Sequence, residues 1–328
     1  MENILEDLPI LSAVLGIHEQ DVICGCWKRY DTFELKARGS KKVRTIEAPC
    51  PHLKQVQRAL LARILAHVEA HDTAMGFVRG KSIAMNARRH HGAPHLFTTD
   101  IRSFFPSVTV AHVKTMLEKR FRHLSPGAIE EVVAISTWDS RLPRGAPTSP
   151  LLANLVMYDF DERCHWFSDK LGAVYTRYAD DISISATDAD VLHHLESLVR
   201  EGLRNHGMEM HTKKTRHYGP DQRKIVTGLD IGGKRIRPTR TFRKKAAALV
   251  RMTVKYPNKM QRHRARICGH LAFWYDVDPA DSDLAELLNA MGLQNWAQRC
   301  APEHDYKKFS NPQDLLLLEY DLDNDIPF

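Results

Sequence analysis

The chain has 328 residues, 43% of them hydrophobic and 27% charged, which is enough for a sizeable core and two or three subdomains. A formal charge of +7 and a pI near 9.0 favour a polyanionic partner. No apolar run reaches membrane-spanning length and the acidic start, Met1 to Asp7, lacks the basic-then-apolar profile of a signal peptide, so the expectation is a cytoplasmic protein without a membrane partner.

Residues 1 to about 30 read as a helical lead-in carrying Ile10, Leu11, Val14 and Leu15. Cys24, Cys26, Cys50, Cys164, Cys268 and Cys300 are scattered without Cys-x-x-Cys spacing. Cys24-Gly25-Cys26 could be half a metal site, but reduced packing thiols are the plainer reading. Lys36, Arg38, Lys41, Lys42 and Arg44 crowd around Gly39-Ser40, a turn with basic arms that taken alone is a solvated loop. From Leu53 to Val68 apolar residues recur at helical spacing without Gly or Pro, which predicts a scaffold helix. Gly76 to Ser82 is a Gly-bounded segment, but it lacks the Gly-x-x-x-x-Gly-Lys-Ser/Thr spacing of a nucleoside-triphosphatase loop. Asn86 and His90, four residues apart, can share one helix face and pair with backbone groups.

Leu96 to Ile101 reads as a strand carrying Asp100 at its end, followed by Ser103, Phe104, Phe105 and Pro106. Residues 110 to 136 predict helices interrupted at Ser125-Pro126-Gly127. Leu142 to Pro150 is a loop dense in Gly and Pro that feeds a helix, with Ser149 as N-cap and Pro150 at the first helical position. There Gly145 allows a close approach to backbone, and the helix start offers N–H donors that suit an anion. Val174 to Ser185 alternates apolar and polar residues around Asp180-Asp181, predicting a β-hairpin with its turn at the acids. Asp188 to His211 is an amphipathic packing helix ending at Gly207, followed by Lys213-Lys214-Thr215. Lys224 to Asp230 alternates as a strand running into Gly232-Gly233. Ile231 to Tyr275 contains no Asp or Glu while Lys and Arg recur throughout, Arg243-Lys244-Lys245 among them. Tyr256, His263, Trp274 and Tyr275 within or beside it could stack on bases or be buried. Leu315 to Phe328 turns acidic and reads as a packing strand plus a free tail.

An isolated Asp-Asp pair is usually an exposed turn. Here the pair lies between apolar strands, where neighbouring carboxylates repel and resist burial, so a compensating cation is expected and a hard oxygen-liganded ion such as Mg²⁺ fits best. If Asp100 meets Asp180 and Asp181 on adjacent strands, the set can hold two Mg²⁺ ions roughly 4 Å apart, as in phosphoryl-transfer sites.

On Asp100, Tyr178-Ala179-Asp180-Asp181, Asn86-Ala87-Arg88-Arg89-His90 and Val226-Thr227-Gly228, the chain resembles the reverse transcriptases of bacterial retrons. The motifs carry the likeness over about residues 30 to 235. The resemblance implies an α+β right-hand polymerase, with a small antiparallel palm sheet packed on helices and a mainly helical basic thumb. Residues 1–95 would form N-terminal helices and fingers, 96–235 the palm with a fingers insertion at about 108–140, and 236–328 the thumb and acidic tail. Catalysis and metal binding would fall to Asp100, Asp180 and Asp181. Nucleotide binding would fall to Arg44, Phe105 (with Phe104 the competing aromatic), Arg144 where the family usually has Gln, Gly145, and Lys214 rather than Lys213. RNA contact would fall to Asn86, His90, Val226, Thr227, Gly228, Arg243, Lys244 and Lys245.

The implied activity is RNA-directed DNA synthesis with dNTPs on a structured non-coding RNA, started from a 2′-hydroxyl within it. The products would be an RNA–DNA hybrid and branched, RNA-linked single-stranded DNA, made for antiphage defence beside a separately encoded effector. Two alternatives are a group II intron-like reverse transcriptase, for which an extension after the thumb is expected, and a non-catalytic RNA-binding scaffold. A pure binder has no need of three carboxylates where phosphates must pass.

Overall fold

The computed structural model describes residues 30–36 and 43–293. The expected N-terminal helix, the Gly39-Ser40 turn with Arg38, Lys41 and Lys42, the cysteines Cys24, Cys26 and Cys300, and the acidic tail lie outside the described residues. Strands β1 (Tyr30–Lys36) and β2 (Val43–Pro49) form an antiparallel hairpin. Helix α1 (Pro51–Arg63) follows, with Pro at its start and Leu53, Val56, Gln57 and Leu60 buried along one stripe; it ends at Arg63, short of the expected Val68, and a separate turn covers Leu65–His67. Then come α2 (Ile83–Arg89), β3 (His95–Asp100), α3 (Val110–Arg120), α4 (Pro126–Ser136), α5 (Ser149–Val156) and α6 (Tyr158–Lys170). Ser125 caps α4 by accepting from the Ala128 N–H.

The hairpin β4 (Val174–Tyr178) and β5 (Asp181–Ala186) leads into α7 (Ala189–Asn205) and the short edge strand β6 (Arg216–Tyr218). These complete an antiparallel sheet of order β4-β5-β3-β6. Its alternation sorts two cores. Phe97, Tyr175, Ile182 and Ile184 pack into the large cluster with Phe160 of α6 and Leu195 and Val199 of α7, while Leu96 joins Ala84 and Ala87 of α2 in a second cluster. Helix α7 ends as its sequence predicts, with Gly207 at φ +63° and the Met208 N–H bonded to the Leu203 carbonyl.

Strands β7 (Ile225–Val226), β8 (Leu229–Asp230) and β9 (Arg237–Pro238) form a small separate sheet. The single strand expected over 224–230 is instead a tight hairpin, because Thr227 and Gly228 adopt φ +45° and +79° and reverse the chain. Helices α8 (Arg240–Lys255), α9 (Arg264–Val277) and α10 (Ser282–Ala290) pack around Trp274, Leu271, Val250 and Leu288 as a third core. Among the described residues no helix is long and apolar enough to cross a membrane.

Candidate active site

In the central sheet β3 runs antiparallel to β5 with Asp100 directly opposite Asp181, and β4 pairs with β5 at Tyr178 opposite Asp181. Opposed residues in a sheet share a face, with Cβ atoms about 5 Å apart. Asp180 sits in the turn between the strands, and its carbonyl accepts from the Ile101 N–H at 2.8 Å. Asp100 and the Asp180-Asp181 pair, far apart in sequence, therefore meet at one half-exposed end of the sheet. Asp181 is the first residue of β5 rather than part of the turn, which Ala179 makes with φ +55°. Lys214, and not Lys213, reaches this end: its Nζ pairs with Asp100 Oδ2. An ammonium lodged on one acid of the set, with oxygen donors on two adjacent strands, fits a site for a hard divalent cation.

Sequence reading missed what lies beneath the turn. Arg177 is fully buried, its Nε and Nη2 donating to Asp161 Oδ1 and Oδ2 at 2.8 and 2.6 Å. Its Nη1 donates to the Ala179 carbonyl at 2.9 Å and to Asn154 Oδ1 at 3.1 Å. Burial alone would lower the Arg177 pKa, but the charge and hydrogen bonds of Asp161 outweigh it and hold the guanidinium protonated. Asn154 Nδ2 in turn donates to the Gly76 carbonyl at 2.9 Å. Gly76 must be glycine, since a Cβ there would stand 2.6 Å from the Ala179 nitrogen. Tyr175, Thr176 and Arg177 of β4 are all buried. The legible signal was a charged residue within a strand that is covered on both faces.

The nucleotide-side candidates fall in two places, Phe105 beside Phe77 and Phe104, and Arg144 with Gly145 against β2. Phe104 is buried, with the Arg177 guanidinium 5.6 Å from its ring centroid, so it belongs to the core. Phe105 is half-buried, with tilted ring contacts to Phe104 and Phe77, so of the two competing aromatics it is the one that reaches the surface. Arg44 is exposed on β2. The loop before α5 is laced to β2: Glu47 N–H donates to the Arg144 carbonyl at 2.7 Å, and Arg144 N–H to Glu47 Oε2 at 3.1 Å. Gly145 holds φ +124°, and a Cβ would fall 2.9 Å from the Glu47 carbonyl oxygen. The cap of α5 is Thr148 rather than Ser149, whose hydroxyl instead donates to the Pro143 carbonyl and ties down the loop.

Glu47 also accepts a bidentate pair from Arg141 at 2.6 and 2.9 Å. Burial would raise its pKa, but the hydrogen bonds and charge of Arg141, with the Arg144 N–H, hold it below the usual carboxylate range. A depressed folded-state pKa contributes stability that is present above the unfolded value and is lost as pH falls through the folded one. Melting curves of the native chain should therefore fall more steeply than those of Glu47→Gln below about pH 4.5. Parallel curves would remove this link between β2 and the loop.

The reading of Asn86, His90 and Val226 as RNA-contacting side chains needs correction, because all three are buried. His90 bridges Ser185 Oγ at 2.8 Å and Thr176 Oγ1 at 2.7 Å, and burial lowers its pKa to about 3, so it is neutral. Asn86 Nδ2 meets Thr227 Oγ1 at 3.5 Å, and that hydroxyl donates to the Ile83 carbonyl at 3.3 Å. The two short motifs thus join each other, pinning α2 to the β7–β8 turn, and of their residues assigned to RNA contact Thr227 and Gly228 reach the surface. On α8, Lys244 is exposed, Lys245 is half-buried with its pKa lowered by that burial, and Arg243 pairs with Asp283 at 3.3 Å. Acids that follow the acid-free run fold back on it, with Arg235 and Arg237 both on Asp278. Trp274 cannot stack on a base: it is buried and its Nε1 donates to Asp281 at 3.3 Å. Tyr256 remains exposed, with Lys255 and Lys259 over its ring.

A family model described as "Reverse transcriptase (RNA-dependent DNA polymerase)" matches residues 35–231. The chain belongs to the reverse transcriptase family. Among curated proteins this reverse transcriptase is 34% identical over 278 residues to the retron Mx162 reverse transcriptase of Myxococcus xanthus, covering 75% of this chain and 57% of that one. It is 31% identical over 210 residues to the retron Ec86 reverse transcriptase of Escherichia coli, covering 63% of this chain and 65% of that one. The expected kinship with retron reverse transcriptases is thus found, and the chain spans somewhat under two thirds of those relatives. Among solved structures, a telomerase from Candida albicans in complex with a fragment of telomeric RNA aligns with TM-score 0.53 and 10% identity, over 85% of this chain and 63% of that one. The reverse transcriptase fold is accordingly that of a right-hand polymerase, with the β4-β5-β3-β6 sheet as its palm.

Proposed function

We propose that the chain is the RNA-directed DNA polymerase of a bacterial retron, working in the cytoplasm. It would copy part of its own structured non-coding RNA from a 2′-hydroxyl, yielding branched RNA-linked single-stranded DNA for antiphage defence with a separately encoded effector. The observation that carries the polymerase reading is the register of Asp100 opposite Asp181, in a chain of net charge +7. We further propose boundaries near residues 95 and 235 between fingers, palm and thumb. The separate α8–α10 core supports the second of these.

Asp100, Asp180 and Asp181 would hold two Mg²⁺ ions, which when bound lower the pKa of the attacking hydroxyl and neutralise the leaving pyrophosphate. Lys214, paired with Asp100, would give a proton to the pyrophosphate as it departs. Arg44 and Arg144 would meet the triphosphate from the fingers side, and Gly145 leaves backbone accessible to it. Phe105 would close the space beneath C2′ of the incoming nucleotide, so a ribonucleotide's hydroxyl has no room. Phe105→Ala should raise ribonucleotide incorporation relative to deoxyribonucleotide by on the order of 10- to 100-fold, read from competing extension assays. An unchanged ratio would remove Phe105 from the sugar pocket. On the nucleic acid, Thr227, Gly228, Lys244 and Lys245 are the candidates for direct phosphate or sugar contact, with Asn86, His90 and Val226 acting as their support.

The retron reading is tested by expressing the gene with its flanking DNA and isolating nucleic acid. A single-stranded DNA joined to RNA through a 2′ linkage, absent when the flanking DNA is deleted, is the expected product. A primer-extension product without any branch would instead favour another bacterial reverse transcriptase class.

A further inference from the structure

We propose that His193, Glu196 and His217 form a zinc site that clamps helix α7 to β6, the edge strand of the palm. Their ligand atoms, one from each residue, all lie within 4.8 Å of one another. His193 and Glu196 are three residues apart and so face the same way from α7, while His217 comes from a strand that meets them only in the folded chain. None of the three is a residue assigned to nucleotidyl transfer.

The details favour a cation over a simple ion pair. His217 Nε2 and Glu196 Oε2 are 2.7 Å apart, sharing a proton where a metal would sit. The His193 ring stacks on His217 with centroids 4.8 Å apart and planes 26° from parallel, which brings both imidazoles to the same side of Glu196. Ligands of a tetrahedral zinc lie about 3.3 Å apart, given bonds of about 2.0 Å. The exposed His193 can close the remaining gap by a rotamer change, and water supplies the fourth ligand. Glu196 already divides its oxygens. Oε1 takes Arg200 at 2.5 Å, which orients the carboxylate and leaves Oε2 towards the histidines. His217 is braced from beneath by the buried Phe97, 4.9 Å away. Two imidazoles and one carboxylate select zinc over Mg²⁺, which prefers oxygen donors alone.

The placement gives the clamp a purpose. Strand β6 pairs with β3 over only three positions, Leu96 with Tyr218, Phe97 with His217, and Thr98 with Arg216. Directly before it come Thr215, whose hydroxyl meets that of Thr99 at 2.8 Å, and Lys214 on Asp100. Pinning His217 to α7 fixes the strand that delivers Lys214 to the catalytic end.

The test is calorimetric titration of ZnCl₂ into the full, untagged chain, with Mg²⁺ in large excess to occupy the catalytic carboxylates. The expected result is one equivalent of zinc that is lost in His217→Gln, weakened at least about tenfold in His193→Ala, and kept in a Cys24→Ser, Cys26→Ser double variant. Hydrogen exchange of residues 215–218 should slow on zinc addition in the native chain and stay unchanged in His217→Gln. Cobalt in place of zinc should give visible absorption bands of a tetrahedral centre. Zinc binding that survives both histidine substitutions, or no binding in the native chain, overturns the site; neither outcome touches the polymerase reading, since the histidines contact no catalytic acid.

Discussion

Asp181→Asn is expected to lower the rate of DNA synthesis by at least about 10³-fold, equivalent to about 4 kcal/mol of lost transition-state stabilisation. The substitution keeps the size and planarity of the side chain and removes one negative charge from a set of three. Asp181 stands opposite Asp100 in the register, so the two carboxylates, on adjacent strands, would together hold a cation. Binding of RNA should survive, because the basic surface of α8 is remote in sequence and packs on its own core. The position is half-exposed, so the melting temperature should move by no more than about 3 °C. Primer extension on an RNA template, gel-shift binding and a thermal melt separate the three quantities. Synthesis within tenfold of the native rate, with RNA binding intact, would sink the active-site assignment, and Asp180→Asn should follow the same pattern.

How much of this was readable in the sequence depends on whether a residue's partner is local. The helix ends, the Ser125 cap and the Gly207 stop are legible because caps and left-handed glycines act within a few residues. Asp180 and Asp181 were legible because adjacent carboxylates in an apolar hairpin repel each other unless a cation holds them, and Asp100 because it is a second acid set in a similar strand upstream. Register and burial depth were not legible. Period-2 alternation says which residues share a face, but not whether the other face is covered as well, and here α2 and its neighbours cover it. His90 therefore looked like a polar surface group and is a neutral buried strut between two strands. Ser149 looked like a cap and is a loop tether, since its acceptor is the Pro143 carbonyl on the preceding turn. The long acid-free run looked like an unbroken cationic face, yet Asp278 and Asp283 return from later in the chain to neutralise part of it. Sequence order hides such pairings, because the acids lie 40 or so positions downstream of the cations they meet.

Arg177 carries the other large effect, and it is a positioning residue rather than a catalytic one. Arg177→Met leaves Asp161 as a buried carboxylate without its guanidinium, which should cost about 3–5 kcal/mol and lower the melting temperature by on the order of 10 °C. Activity should fall further than stability explains, because Arg177 also holds the Ala179 carbonyl, and Ala179 supplies the left-handed step that turns the chain between Tyr178 and Asp181. A double variant, Arg177→Met with Asp161→Leu, separates the two roles. Removing both charges takes away the desolvation penalty as well as the attraction, so most of the lost stability should return. The Ala179 carbonyl still lacks its donor in that variant, so kcat should remain depressed, at least about tenfold below native, while the apparent affinity for RNA stays near native. If the double variant restores the melting temperature and kcat together, Arg177 serves only the fold. If kcat stays low at native stability, the guanidinium sets the geometry of the turn that presents Asp180 and Asp181. The catalytic carboxylates would then depend on a buried charge pair that no motif includes: a hydrophobic strand position given to arginine so that a backbone carbonyl, two residues on, points the right way.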